Sequence, residues 1–121
     1  MTPLDWAGLA LLGGAGAVLR YAVDGWFERR FTTVFPLSTF SINAVGSFAL
    51  GALTGAHVTA TALFLVGTGL IGSFTTFSTW IFETERLGEQ RKGAVAWWNI
   101  AATVAAGLAA GGAGWALAAL A

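Results

Sequence analysis

The sequence predicts an all-α membrane protein with four transmembrane helices, and three observations predict it. Of 121 residues, 56% are hydrophobic and 10% are charged, whereas a typical soluble domain carries about 25% charged residues. The apolar residues fall into four runs, each near the roughly 20 residues that a helix needs to cross a bilayer. Short polar or charged connections separate the runs. The chain 1–121 therefore reads as a single four-span membrane domain, with no tandem repeat and no linker to divide it.

Composition also narrows the chemistry. There is no cysteine, so disulfide and thiolate chemistry are out of reach, and the single histidine, His57, has no histidine neighbour with which to share a metal. A formal net charge of zero argues against a nucleic-acid partner, which a basic face would announce. The first apolar stretch opens with Asp5 rather than a basic segment, so it reads as a true span and not as a cleavable signal.

Span one is expected from Leu4 to Val23. Gly13, Gly14, Ala15, Gly16 and Ala17 give it a nearly bare surface on which another helix can lie close. Arg20 and Tyr21 sit near its exit, where residue type alone suggests a snorkelling anchor beside an interfacial tyrosine. Asp24 to Thr33 reads as a polar connection, and Pro36 suits the first turn of a new helix.

Span two is expected from Phe35 to Ala56. Thr39, Asn43 and Ser47 step by four and share one polar stripe. A carboxamide within the membrane costs free energy unless it finds a partner, so Asn43 is either glue between helices or a donor to a permeating anion. Gly51 and Gly55 form a G-x-x-x-G pair, a packing device. His57 to Thr61 reads as a tight turn with His57 exposed in it.

Span three is expected from Thr61 to Phe82, and it carries the informative stretch. Gly67, Gly69 and Gly72 are followed by a ladder of hydroxyls, Ser73, Thr75, Thr76, Ser78 and Thr79. Lipid tolerates unwound backbone only where protein or water covers it. A break in the third helix is therefore expected here, lining a path for a small anion. Phe77 and Trp80 lie three apart and share a helical face beside it. A charged connection from Glu83 to Lys92 follows. Span four is expected from Ala94 to Leu117, with Trp97 and Trp98 as interface anchors. Asn99, Thr103 and Gly107 form a second polar-to-small stripe.

All six basic residues, Arg20, Arg29, Arg30, Arg86, Arg91 and Lys92, fall on the side of the first and third connections. The positive-inside rule places that side in the cytoplasm and both termini outside.

Taken together and in this order, the patterns resemble the Fluc/CrcB family of fluoride channels over nearly the whole chain. Span one is similar to G-G-x-x-G-A-x-x-R-Y through Gly13, Gly14, Gly16 (one place early), Ala17, Arg20 and Tyr21. Span two resembles N-x-x-G-x-F-x-x-G through Asn43, Gly46, Phe48 and Gly51. Span three resembles G-x-x-T-T-F-S-T-F-S-x-E through Gly72, Thr75, Thr76, Phe77, Ser78, Thr79, Trp80 and Glu83. Span four resembles N-x-x-x-S-x-x-x-G through Asn99, Thr103 and Gly107.

The resemblance implies an antiparallel, inverted dimer of four-helix subunits in the inner (plasma) membrane, with two fluoride pathways. It implies a structural sodium ion at the dimer centre, held by backbone carbonyls at the break, here those of Gly72 and Thr75. Half-helices expose hard oxygen ligands suited to such a cation. The anion pathway would draw on Asn43 as an amide donor, on the hydroxyls of Thr39, Ser78, Thr79 and Thr103, and on the positive ring edges of Phe77 and Trp80. Arg20 would be the vestibule cation that gathers the anion.

Three departures from the family pattern stand out. Trp80 takes the place of the second phenylalanine and adds size and an N–H donor. Ser73 stands where glycine is common, and Ile81 where serine is common. Two pairings stay open: the chain inserts both ways, with dual topology, and pairs with itself, or, as the strong charge bias suggests, it pairs with an oppositely oriented homologue. Two other functions compete. A small four-span exporter of organic cations needs an ionisable acid within the membrane, whereas Asp5, Asp24 and Glu83 are all at span ends. A non-transporting assembly protein would need only the small-residue stripes. No buried acid–base pair points to an enzyme.

Overall fold

The computed structural model describes residues 1–121. It is all-helical, and four helical segments are long and apolar enough to cross a membrane: Pro3–Arg30, Leu37–Gly55, Ala60–Glu89 and Gly93–Ala119.

Helix α1 (Pro3–Arg30) begins with Pro3 in its first turn and a capping box. The Asp5 N–H donates to Thr2 Oγ1 at 3.2 Å, and the Thr2 N–H donates to Asp5 Oδ2 at 2.9 Å. Two orphan amides at the helix start are thereby satisfied. At the other end α1 runs on to Arg30, through the stretch expected as a polar connection. No proline interrupts it, and Arg29 and Arg30 lie in the last turn, where positive charge favours the helix dipole. An aromatic cluster covers that end: Trp26 meets Phe27 and Phe31 edge-on, and Arg30 lies over the Trp26 ring at 5.3 Å.

Helix α2 (Leu37–Gly55) pairs along its length with α6 (Gly93–Ala119). Glycine makes the pairing possible. A Cβ on Gly51 would lie 2.0 Å from the Gly111 carbonyl oxygen, and one on Gly114 would lie 2.1 Å from that of Phe48. The backbones touch, as the G-x-x-x-G spacing suggests. On the opposite flank, Gly16 of α1 presses against the Leu70 carbonyl in the same way.

The third crossing is composite. A single turn, α3 (Ala60–Ala62), is capped by Thr59, which accepts from the Ala62 N–H at 3.1 Å. A π-helix over Leu63–Ile71 follows, then a turn, α4 (Gly72–Phe74), and finally α5 (Ser78–Glu89). The crossing bends at Thr75–Phe77, which lie outside any helix. A π-helix is rare and found most often at functional positions, and this one leads straight into the bend.

The subunit has little interior of its own. Only 13 of 121 residues are buried, among them Ile42, Ile71, Phe74 and Leu87. Leu4, Leu11, Tyr21, Trp97 and Leu108 are exposed, which is the arrangement of a chain whose apolar faces meet lipid or another subunit.

Candidate functional site

At the bend, Thr75 ends the helical run with an extended backbone, φ −78° and ψ 162°. Its N–H and its hydroxyl both donate to the Ile71 carbonyl, each at 3.0 Å. Gly46 of α2 makes room for it, since a Cβ there would lie 2.1 Å from the Thr75 methyl. Thr76 is then held from α2 by a two-point clamp. Asn43 Nδ2 donates to the Thr76 carbonyl at 2.8 Å, and the Thr76 N–H donates to Asn43 Oδ1 at 2.9 Å. The carboxamide substitutes for the helical bonds that the bend gives up, which answers the demand that buried backbone groups be paired. The Thr76 hydroxyl restarts the helix: it accepts from the Thr79 N–H at 3.2 Å and donates to Thr79 Oγ1 at 3.1 Å.

This arrangement bears on the sodium expectation. In an unbroken helix the Gly72 carbonyl would receive the Thr76 N–H, and the Thr75 carbonyl would receive that of Thr79. Both donors are diverted, to Asn43 and to Thr76 Oγ1. Gly72 and Thr75 thus keep carbonyl oxygens released from their helical partners, and both residues line one groove. Uncharged carbonyl oxygens fit a hard monovalent cation.

Two concavities meet at Thr76. The larger, about 520 Å³, brings Asn43, Gly72, Thr75, Phe77, Trp80 and Thr103 together. The smaller, about 390 Å³, holds Arg20, Tyr21, Asp24, Thr39 and Thr79. The candidate residues therefore divide between a mostly apolar groove with aromatic edges and a polar recess with the arginine. Ser78 is exposed and lines neither. The Thr103 hydroxyl is buried without a hydrogen-bond partner.

Phe77 and Trp80 meet edge to face, with ring centroids 5.7 Å apart at 76°. Phe77 is 70% exposed. The Trp80 N–H, an extra donor by composition, is already committed: it donates to the main-chain carbonyl of Asn99 at 3.2 Å. Trp80 therefore lines the groove without a free indole donor.

Three residues with a part in the site were not singled out for it in the sequence. Asn99, read as part of a polar-to-small stripe, is fully buried. Its Nδ2 donates to Thr84 Oγ1 at 2.8 Å, and the Thr84 hydroxyl donates to the Trp80 carbonyl at 2.8 Å. Glu83 accepts from Thr39 at 2.5 Å. The four-residue step from Asn99 to Thr103 was the available signal for the first, and the end of the span-three motif for Glu83; Thr84 is hidden among the charges of the connection.

Comparison with known proteins decides the family. The family described as "CrcB-like protein, Camphor Resistance (CrcB)" matches residues 7–115. The chain belongs to the CrcB family. Curated CrcB relatives are similar along nearly their full length. "Fluoride-specific ion channel FluC 2" of Mycobacterium tuberculosis (strain ATCC 25618 / H37Rv) is 46% identical over 110 residues, 91% of this chain and 87% of the relative. The protein of the same name in Mycolicibacterium paratuberculosis is 48% identical over 105 residues, 87% of this chain and 86% of the relative. "Fluoride-specific ion channel FluC 1" of Rubrobacter xylanophilus is 44% identical over 115 residues, 94% of this chain and 93% of the relative.

Proposed function

We propose that the chain is a fluoride-selective channel subunit of the inner membrane that releases cytoplasmic fluoride passively. The observation that carries this reading is the Asn43–Thr76 clamp, which holds the bend open beside two aromatic edges. Fluoride is small and strongly hydrated, so a pathway must replace its water with donors. Asn43 has a second N–H beyond the one given to Thr76. Phe77 and Trp80 offer positive ring edges, and Thr103 offers a hydroxyl that nothing else uses. Arg20 and the hydroxyl of Thr79 face a separate recess in which an anion is gathered, while the Thr39 O–H on its wall is already given to Glu83. The names of the relatives support fluoride as the ion.

No coupling group is needed. Hydrogen fluoride crosses the membrane neutral and dissociates in the cytoplasm, and the membrane potential drives the anion out at about 2.3 kcal/mol per charge per 100 mV.

The assembly is an antiparallel dimer. The exposed Phe77 and the sparse core support a second subunit against this one. Sodium, held by the Gly72 and Thr75 carbonyls, stabilises the dimer and adds positive potential near the anion path. The one-sided placement of the six basic residues favours pairing with an oppositely oriented homologue. Tags at both termini, read from the two sides of the membrane, test this: labelling from both sides equally would refute an obligate partner.

Efflux from liposomes holding this chain tests the function. The expected result is fluoride release without chloride release, dependent on sodium. Equal release of both ions would overturn selectivity. If this chain is silent, co-reconstitution with an oppositely oriented homologue should restore the flux.

A further inference from the structure

Trp80 is tied at two points, once through its indole and once through its main chain. At its far end Nε1–H donates to the Asn99 main-chain carbonyl at 3.2 Å. At its near end the Trp80 carbonyl accepts from Thr84 Oγ1 at 2.8 Å, and Thr84 Oγ1 accepts from Asn99 Nδ2 at 2.8 Å. The three residues close a ring of hydrogen bonds between α5 and α6. A threonine hydroxyl bonded to the carbonyl four residues back is common in helices; here the same oxygen also takes a donor from the neighbouring helix.

Asn99 carries a cost in this ring. It is fully buried, and its Oδ1 has no partner, which is unfavourable for a buried polar atom. An apolar side chain would serve packing alone better. What the asparagine adds is a directed N–H to Thr84, and through it a fixed angle for the turn that bears Trp80. The consequence reaches the groove. Phe77 is exposed, and its aromatic neighbour is the Trp80 ring, met edge-on at 5.7 Å.

We propose that Asn99 and Thr84 are positioning residues for the anion path: their hydrogen-bond ring holds the Trp80 indole at one angle, and Trp80 in turn sets the edge that Phe77 presents. The inference rests on the channel reading for its effect on flux, but not for its effect on Trp80. Phenylalanine at position 80 would lack the Nε1 anchor, so the ring and its fastening belong together in this chain.

The test uses Thr84→Val, which keeps the shape and removes the hydroxyl, and Thr84→Ser, which keeps it. The protein is labelled with 5-fluorotryptophan, and the Trp80 resonance among six tryptophans is assigned by its loss in Trp80→Phe. Expected are one narrow Trp80 line in the wild type, a split or broadened line in Thr84→Val, and recovery in Thr84→Ser. Fluoride efflux should fall about tenfold in Thr84→Val, the worth of one buried hydrogen bond, and return to within about twofold in Thr84→Ser. A shifted Trp80 line with unchanged efflux, or lost efflux with an unchanged line, overturns the positioning role. If Thr84→Val fails to assemble, Thr84→Ala is read in the same way. A wild-type chain without fluoride efflux in any pairing would sink the channel reading instead, while the resonance still decides whether the ring holds Trp80.

Discussion

The α2–α6 seam and the bend in the third crossing solve the same problem by opposite means. Both must keep main-chain polar groups paired where lipid offers no partner. Along the seam, glycine removes side chains until backbone atoms touch, and each helix keeps its own hydrogen bonds. At the bend the helical bonds are given up, and Asn43 and Thr76 replace them one by one. The first arrangement leaves the main-chain hydrogen bonds of both helices intact. The second leaves carbonyls and an amide N–H with capacity to spare, which is what an ion needs.

The contrast can be broken most severely at the seam. Gly114→Val would drive a Cβ into the Phe48 carbonyl, 2.1 Å away; overpacking of this kind costs about 1–3 kcal/mol or more. The expected outcome is loss of the monodisperse peak in detergent chromatography. Next comes Asn43→Asp. Aspartate retains an acceptor for the Thr76 N–H but cannot donate to the Thr76 carbonyl, and it sets a negative charge in an anion path. Fluoride efflux should fall about a hundredfold or more, from an unsatisfied buried group plus repulsion, with elution unchanged. Loss of assembly would show instead that the clamp is chiefly structural.

A smaller effect separates carbonyl from hydroxyl at Thr75. Thr75→Val removes the hydroxyl bond to Ile71 but keeps the main-chain oxygen, so the sodium dependence proposed for efflux should remain while stability falls by about 1 kcal/mol. Abolished sodium dependence would assign the ion to the side chain. The smallest effect is expected at Ser78, which lines neither concavity: Ser78→Ala should change efflux by less than about threefold, within the range of ordinary surface changes.

The fold was largely legible because hydropathy and small-residue spacing act locally. Four runs gave four crossings, and Gly51 and Gly55 marked the seam. The extension of α1 to Arg30 was not legible, since the charges and the Asp24-Gly25 step were read as a connection although no proline occurs there. The site was legible in part. Asn43 could be named from residue type, and Gly72 and Thr75 only through the family resemblance, but the clamp joins residues 33 apart in sequence, and spacing carries no such information. Trp80 shows the limit clearly. Its N–H looked available, and only the packing of α5 on α6 reveals that Asn99 already holds it.

The π-helical run before the bend sets an azimuth. An α-helix advances about 100° per residue, so a chain wound five residues to the hydrogen bond over Leu63–Ile71 delivers Gly72 and Thr75 on a heading that α-winding would miss. Removing a single residue from that run would relax the coil and swing the carbonyls away from Asn43. The proposed ion path is thus aimed by a winding number, and a one-residue deletion there should lower fluoride efflux more than substitutions of the side chains it passes.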